Sequence, residues 1–440
     1  MTMSKSLLLQ NQAKERIPGM TQLLSKRPDM FSLGVWPGYF SKAKGANVWD
    51  LDGREYLDMS IAGIGACVLG YADDEVDDAV IRSIRNGIAS SLNCPEEVTL
   101  AERLCSLHPW ADMVRYTRSG GEAMSVAVRL ARAATGREVV AFCGYHGWMD
   151  WYLAANLAED SALDGHLIPG LAPAGVPRGL SGTAFPFRYN QLGELEELNT
   201  KYAGKLAAIV MEPIRSEPPS PGFIESVRKI ADQSRAVLII DEISAGLRYC
   251  TGGAHMALHK GVTPDMAVFS KALGNGYAMA AVIGTRSVME AAQKTFISST
   301  NWTERVGPTA ALATLDKHER TNASGQFLRQ GAHIQKVWQE LGAKHGFAIH
   351  VGGMEAMGHF SFDDPDFLSY KAYFVQLMLE RGILASNLCY LMLAHTDRDV
   401  DKYLTACNEA FALLADARDK GDIKARLQGK PATSGFKRLA

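Results

Sequence analysis

Three short runs constrain this chain most: "LAAIVMEP" (206–213), "AVLIIDEI" (236–243) and "DMAVFSK" (265–271). Each is apolar through its middle and then delivers a charged side chain: Glu212, Asp241 and Lys271. Runs this short, without polar alternation, read as strands covered on both faces. Segments with helical spacing stand between and before them, among them "GFIESVRKIADQSR" (222–235), "DDEVDDAVIRSIRNG" (73–87) and "GGEAMSVAVRLARAATG" (120–136). The last of these leads into a further strand, "EVVAF" (138–142). Apolar strands alternating with helices predict an α/β fold around a mainly parallel sheet. Ligands of such sheets bind outside the carboxyl ends of the strands, which puts Glu212, Asp241 and Lys271 on one rim.

A chain of 440 residues exceeds one ordinary core. The pattern suggests an N-terminal segment over 1–60, a large domain over 61–324 and a smaller α+β domain over 325–440. In the first, "ANVWDLDGREYLDM" (46–59) alternates around Asp52-Gly53 as a hairpin does. A calcium loop there would need a glutamate where Ile61 stands. The last part offers a helix in "HIQKVWQELGAKHG", strands in "FAIHVGG" and "GHFSF", two more helices, and a basic tail (Lys424, Arg426, Lys430, Lys437, Arg438) expected to be solvated.

A net charge of −2 argues against a nucleic-acid partner. Seven scattered cysteines without a CxxC pair argue against a disulfide framework and a zinc site, and suit a reducing cytoplasm. No apolar run approaches the ~18 residues of a membrane span, and "SLLLQ" is too short for a signal-peptide core. "GIGACVLG" (63–70) lacks the GxGxxG spacing of a nicotinamide-binding turn.

Four features carry chemistry, each with a plainer alternative. Ser119, Gly120 and Gly121, with Glu122, open a helix whose amides and dipole suit a phosphate, although many helices begin this way. "GYHGW" sets Tyr145 and His146 between glycines, either as a ring that stacks on a flat cofactor or as a core plug in a turn. Asp241 could hold a protonated pyridine nitrogen, or cap a following helix. Lys271 either emerges at a strand end or is a desolvated amine able to condense with an aldehyde. Together these four match the needs of pyridoxal 5'-phosphate (PLP), with Lys271 as the base that moves the substrate's Cα proton.

With these motifs in order, the sequence resembles the class III aminotransferases of PLP fold type I. "RSGGEAMSVAVRLARAATGR" resembles the family's phosphate-binding helix, "GYHGW" its tyrosine turn, "IIDEISAGLR" its Asp-Glu strand and "FSKALGNGY" its lysine loop. The resemblance runs from "VWDLDGREYLD" to "LAHTDRDVDKYL". It implies a mainly parallel, seven-stranded sheet in a large domain beside a smaller α+β domain. It assigns Ser119, Gly120 and Gly121 to the phosphate, Tyr145 with its neighbour His146 to the cofactor ring, and Ile243 to the ring's other face. It assigns Asp241 to the pyridine nitrogen, Lys271 to the cofactor aldehyde and Glu212 to the site's acid. Thr303, in "STNWTERVGPTAA", matches a threonine that reaches the neighbouring subunit's phosphate, which implies a homodimer with composite sites.

The pattern is similar to glutamate-1-semialdehyde aminomutases, with departures. Their N-terminal Asn-Ser-Pro-Val-Arg region is replaced around "SLGVWPGYF" (32–40), their C-terminal Phe-Glu segment by "SNLCYLML" (386–393), and their glycine-asparagine-proline stretch by "TERVGP". As a whole the chain resembles the aminotransferases that make 8-amino-3,8-dideoxy-manno-octulosonate, a lipopolysaccharide sugar. The expectation is therefore transfer from an amino acid, glutamate by family habit, to a carbonyl sugar acid. The rivals are an aminomutase and a non-catalytic PLP-fold binding protein.

Overall fold

The structure, a computed structural model, describes residues 4–159, 161–166 and 170–435. One compact unit is Asp74–Gly325; the other joins the described residues before 74 to those after 325.

The larger unit is built on seven strands: β1 (Met113–Thr117), β2 (Val139–Cys143), β3 (Ala184–Pro186), β4 (Leu206–Met211), β5 (Val237–Asp241), β6 (Met266–Phe269) and β7 (Ala280–Gly284). Their order across the sheet is β1-β7-β6-β5-β4-β2-β3. Both pairings of β7 are antiparallel and the rest are parallel. Every residue of β2, β4, β5, β6 and β7 is buried, which is why their sequences show no alternation.

The helix Gly120–Thr135 lies against one sheet face, packing Ala123, Met124, Ala127, Val128 and Leu130 on Val140, Val210, Ile239, Val268 and Val282. Its alanines let it approach closely, and each enclosed Val, Leu, Ile or Met contributes about 1.5–3 kcal/mol. Gly136 ends it in the left-handed conformation, φ 67°.

In the smaller unit the hairpin forms as its turn chemistry predicts. Asn47–Asp50 pairs antiparallel with Glu55–Asp58, Gly53 takes φ 85°, and Asp50 Oδ1 accepts from the amides of Asp52 and Arg54 at 2.9 Å each. Ile383–Leu384 adds to this sheet in parallel beside Glu55–Asp58, so the segment expected over 1–60 and the domain expected over 325–440 share a sheet. A second sheet is Ile349–Met354, Met357–Phe362 and Leu388–Tyr390, beside the helices Phe367–Glu380 and Asp397–Lys420.

Lys424 and Lys430 are exposed, as expected of a solvated tail, whereas Arg426 is largely covered. Lys424 and Arg426 sit on the helix Ile423–Arg426, Lys424 paired with Asp366 at 2.7 Å and Arg426 with Asp422 and Asp416 at 2.7 Å each. Lys437 and Arg438 lie outside the described residues. Among the described residues no helix is long and apolar enough to cross a membrane.

Candidate active site

Register places the polar strand ends side by side. Cys143 pairs with Met211, Met211 with Ile240, and Asp241 with Val268. The residues that follow β2, β4 and β6, namely Gly144-Tyr145, Glu212 and Ser270-Lys271, therefore share one rim with Asp241.

At the start of the helix Gly120–Thr135, Glu122 Oε2 accepts from the amides of Arg118 (3.1 Å) and Ser119 (2.9 Å) and from Ser119 Oγ (3.0 Å). This capping box leaves the next two amides uncommitted. Among the described residues those of Gly120 and Gly121 have no hydrogen-bond acceptor. A Cβ on Gly120 would come 2.9 Å from Ile243 Cδ1, and one on Gly121 would come 3.3 Å from Met149 Cε. The helix thus presents bare backbone and its dipole, a surface that fits a phosphate.

Asp241 is 3 % exposed and fully occupied at its back. Its Oδ2 lies 2.7 Å from His146 Nδ1, and its Oδ1 accepts from the Ile243 amide at 2.9 Å. His146 is enclosed, and its Nε2 faces the Cys143 carbonyl at 3.2 Å. Both of its nitrogens are thereby engaged, so His146, grouped by sequence with the cofactor contacts, acts on this site through Asp241. Each carboxylate oxygen keeps a further lone pair for a ligand.

Glu212 Oε2 accepts from the Tyr145 amide (3.3 Å) and from Arg215 Nη1 (2.5 Å). Burial pushes its carboxyl up, with Arg215 and His146 opposing. Arg215 also donates to the His166 carbonyl. Burial and the Arg215 charge together draw the His166 imidazole down to about 4. The Tyr145 phenol is pushed up by burial first and by the Asp241 charge second. Its ring meets Tyr152 edge-on at 5.8 Å.

Lys271 follows β6 with φ 42°, in the left-handed region that a side chain of this size rarely adopts. The residue keeps some exposed surface, yet burial around its amine is the largest influence and holds it below the usual lysine value. Asp241 and Glu212 oppose that shift and Arg248 adds to it. Its Nζ donates to Ser244 Oγ at 2.6 Å.

Thr303 stands apart from this group, exposed, at the end of the turn Thr300–Thr303. The turn is tied to the glycine helix through Arg118, whose Nη2 donates to the carbonyls of Trp302 (2.9 Å) and Glu304 (2.8 Å). Arg118, Arg215 and Ser244 were not singled out from sequence. Only Arg215 had a local signal, its spacing three residues beyond Glu212.

A rim with a desolvated lysine, a buried aspartate and a bare glycine helix start fits PLP. The model of the family described as "Aminotransferase class-III" matches residues 34–411. This chain belongs to the class III aminotransferases. It is 33% identical over 427 residues to a 3-aminobutyryl-CoA aminotransferase of Cloacimonas acidaminovorans (strain Evry), covering 93% of this chain and 97% of the relative. The FumI protein of Sphingopyxis sp. MTA144, solved with PLP, superposes with a TM-score of 0.85 at 25% identity, over 97% of this chain and 99% of the other. A glutamate-1-semialdehyde aminomutase of Pseudomonas aeruginosa PAO1 shares the fold, with a TM-score of 0.78 at 21% identity over 93% and 94% of the two chains. This class III aminotransferase is accordingly a PLP-dependent transaminase of fold type I.

Proposed function

We propose that this enzyme carries an amino group from an amino acid, glutamate being the expected donor, to a carbonyl acceptor, with Lys271 as its proton carrier. The observation behind this is the desolvated Lys271 amine on the same rim as Asp241. Bound PLP supplies an aldehyde and an electron-accepting ring. Gly120 and Gly121 would hold its phosphate on their free amides, and Tyr145 and Ile243 would take its ring. Asp241, steadied by His146, would offer the ring nitrogen a negative charge. Lys271 takes the proton from the substrate's Cα and returns it.

For the acceptor, whole-chain resemblance favours a carbonyl sugar acid such as 8-oxo-3,8-dideoxy-manno-octulosonate. The similarity to a 3-aminobutyryl-CoA aminotransferase favours a second reading, a 3-oxoacyl thioester. Loading the enzyme with the donor's amino group and then offering the octulosonate aldehyde or acetoacetyl-CoA separates them. The acceptor that restores the resting absorbance is the substrate, and return with neither rejects both.

The site is also proposed to be completed by a second copy of the chain. Phe296 (92 %), Leu92 (82 %) and Trp148 (69 %) are strongly exposed: Trp148 beside Gly121, Phe296 in the segment leading to the Thr303 turn, and Leu92 just past Ile88, whose carbonyl accepts from the Arg305 amide at 3.0 Å. Exposed aromatic and aliphatic surface of this kind suits a two-fold contact that brings Thr303 to the partner's phosphate. Mixing Lys271→Ala with Thr303→Ala subunits is expected to restore activity above either parent, because one site of each mixed dimer then carries neither lesion. No recovery, with subunit exchange confirmed by mass spectrometry, assigns Thr303 to its own subunit or to no phosphate.

A further inference from the structure

As the proposed proton carrier, Lys271 changes protonation state where burial desolvates its amine. Its amine therefore needs a partner that can receive a hydrogen bond from the ammonium and give one to the free amine. A carboxylate can only accept and would pin the ammonium, while an apolar neighbour would leave both forms unsatisfied.

The group in contact is a hydroxyl. Ser244 Oγ lies 2.6 Å from Lys271 Nζ, and no other hydrogen bond uses that oxygen among the described residues. Two backbone features converge on the contact. The left-handed φ of Lys271 sets the direction of its side chain after β6, and Ser244 sits in the tight turn after β5, where the Gly246 amide donates to the Glu242 carbonyl at 2.7 Å. The charges acting on the amine are Asp241 and Glu212, which favour the ammonium, and Arg248, which disfavours it.

We propose that Ser244 is the positioning residue of the proton carrier: its hydroxyl holds the Lys271 amine in both protonation states and aims it at the reacting carbon. This rests on the reading of Lys271 as the proton carrier. No bond to Ser244 forms or breaks; the hydroxyl keeps its proton and reverses its hydrogen-bond direction as the lysine gains or loses one.

The test compares Ser244→Ala and Ser244→Thr with the wild type. Among the described residues, the other hydrogen bond at Ser244 is to its backbone carbonyl, from Arg248 Nε at 3.5 Å, so alanine leaves that contact in place. In the full-length chain stripped of PLP, acetic anhydride labelling of Lys271 is followed against pH by peptide mass spectrometry. A hydrogen bond to an ammonium is stronger than one to an amine, so the labelling midpoint of the alanine variant should fall by about one unit and threonine should restore it.

In the holoenzyme, the half-reaction with L-glutamate should slow about tenfold in the alanine variant. The isotope effect from α-deuterated glutamate should rise, while PLP affinity and KM stay unchanged. Identical labelling midpoints in all three proteins overturn the proposal. A fully active Lys271→Ala enzyme would instead overturn the reading on which it rests.

Discussion

Lys271→Ala is expected to fold, to retain PLP through the glycine helix and Asp241, and to lose turnover by at least about 10³-fold, the range over which a positioned acid–base group acts. The two halves of this expectation separate because different elements carry them. The proposed phosphate cradle is Gly120 and Gly121, whose free amides do not depend on the lysine. The proposed proton carrier, Lys271, stands in the loop after β6. Burial holds the Lys271 amine below the ordinary lysine value, so its neutral, proton-accepting form is reached at lower pH than an exposed lysine would allow. Borohydride reduction of the wild type should fix PLP covalently on Lys271, read by peptide mass spectrometry. An adduct on Lys260 or Lys294 would move the site elsewhere.

Asp241→Asn is expected to cost at least about 10²-fold in rate, by analogy with loss of other charged partners of developing charge. The structure adds a second consequence. Both oxygens of Asp241 accept, Oδ1 from the Ile243 amide and Oδ2 from His146 Nδ1. An amide must turn its NH₂ toward one of these partners: toward Ile243 it sets two donors face to face, and toward His146 it requires the ring proton on Nε2, facing the Cys143 carbonyl. A buried polar group left unsatisfied costs about 1–3 kcal/mol, visible as a lowered Tm. Single-turnover kinetics with the donor, beside thermal unfolding, measure the two effects apart. Near-normal kinetics with a lowered Tm would make Asp241 a structural residue.

Much of the larger unit was legible because its signals are local. Wholly apolar runs such as "VLII" mark strands buried on both faces, the small-residue periodicity after Ser119 marks a helix pressed on a sheet, and Gly136 marks its end. The hairpin at Asp52-Gly53 was legible for the same reason, since its turn chemistry lies within a few residues. Ile383–Leu384 escaped notice because a two-residue strand carries no period; its identity comes from the neighbour Glu55–Asp58, more than three hundred positions away.

The same division runs through the site. Residue type and strand-end position, which sequence alone determined, named Glu212, Asp241 and Lys271 as chemistry at one edge of a sheet. Which groups face them was decided only by the tertiary structure. The order β6-β5-β4-β2 brings Asp241 to His146 across 95 positions and Lys271 to Ser244 across 27. Arg118 reaches the carbonyl of Trp302 across 184. Hydrogen bonds act over about 3 Å, and no pattern along the chain records which distant groups will stand that close once the strands are laid side by side.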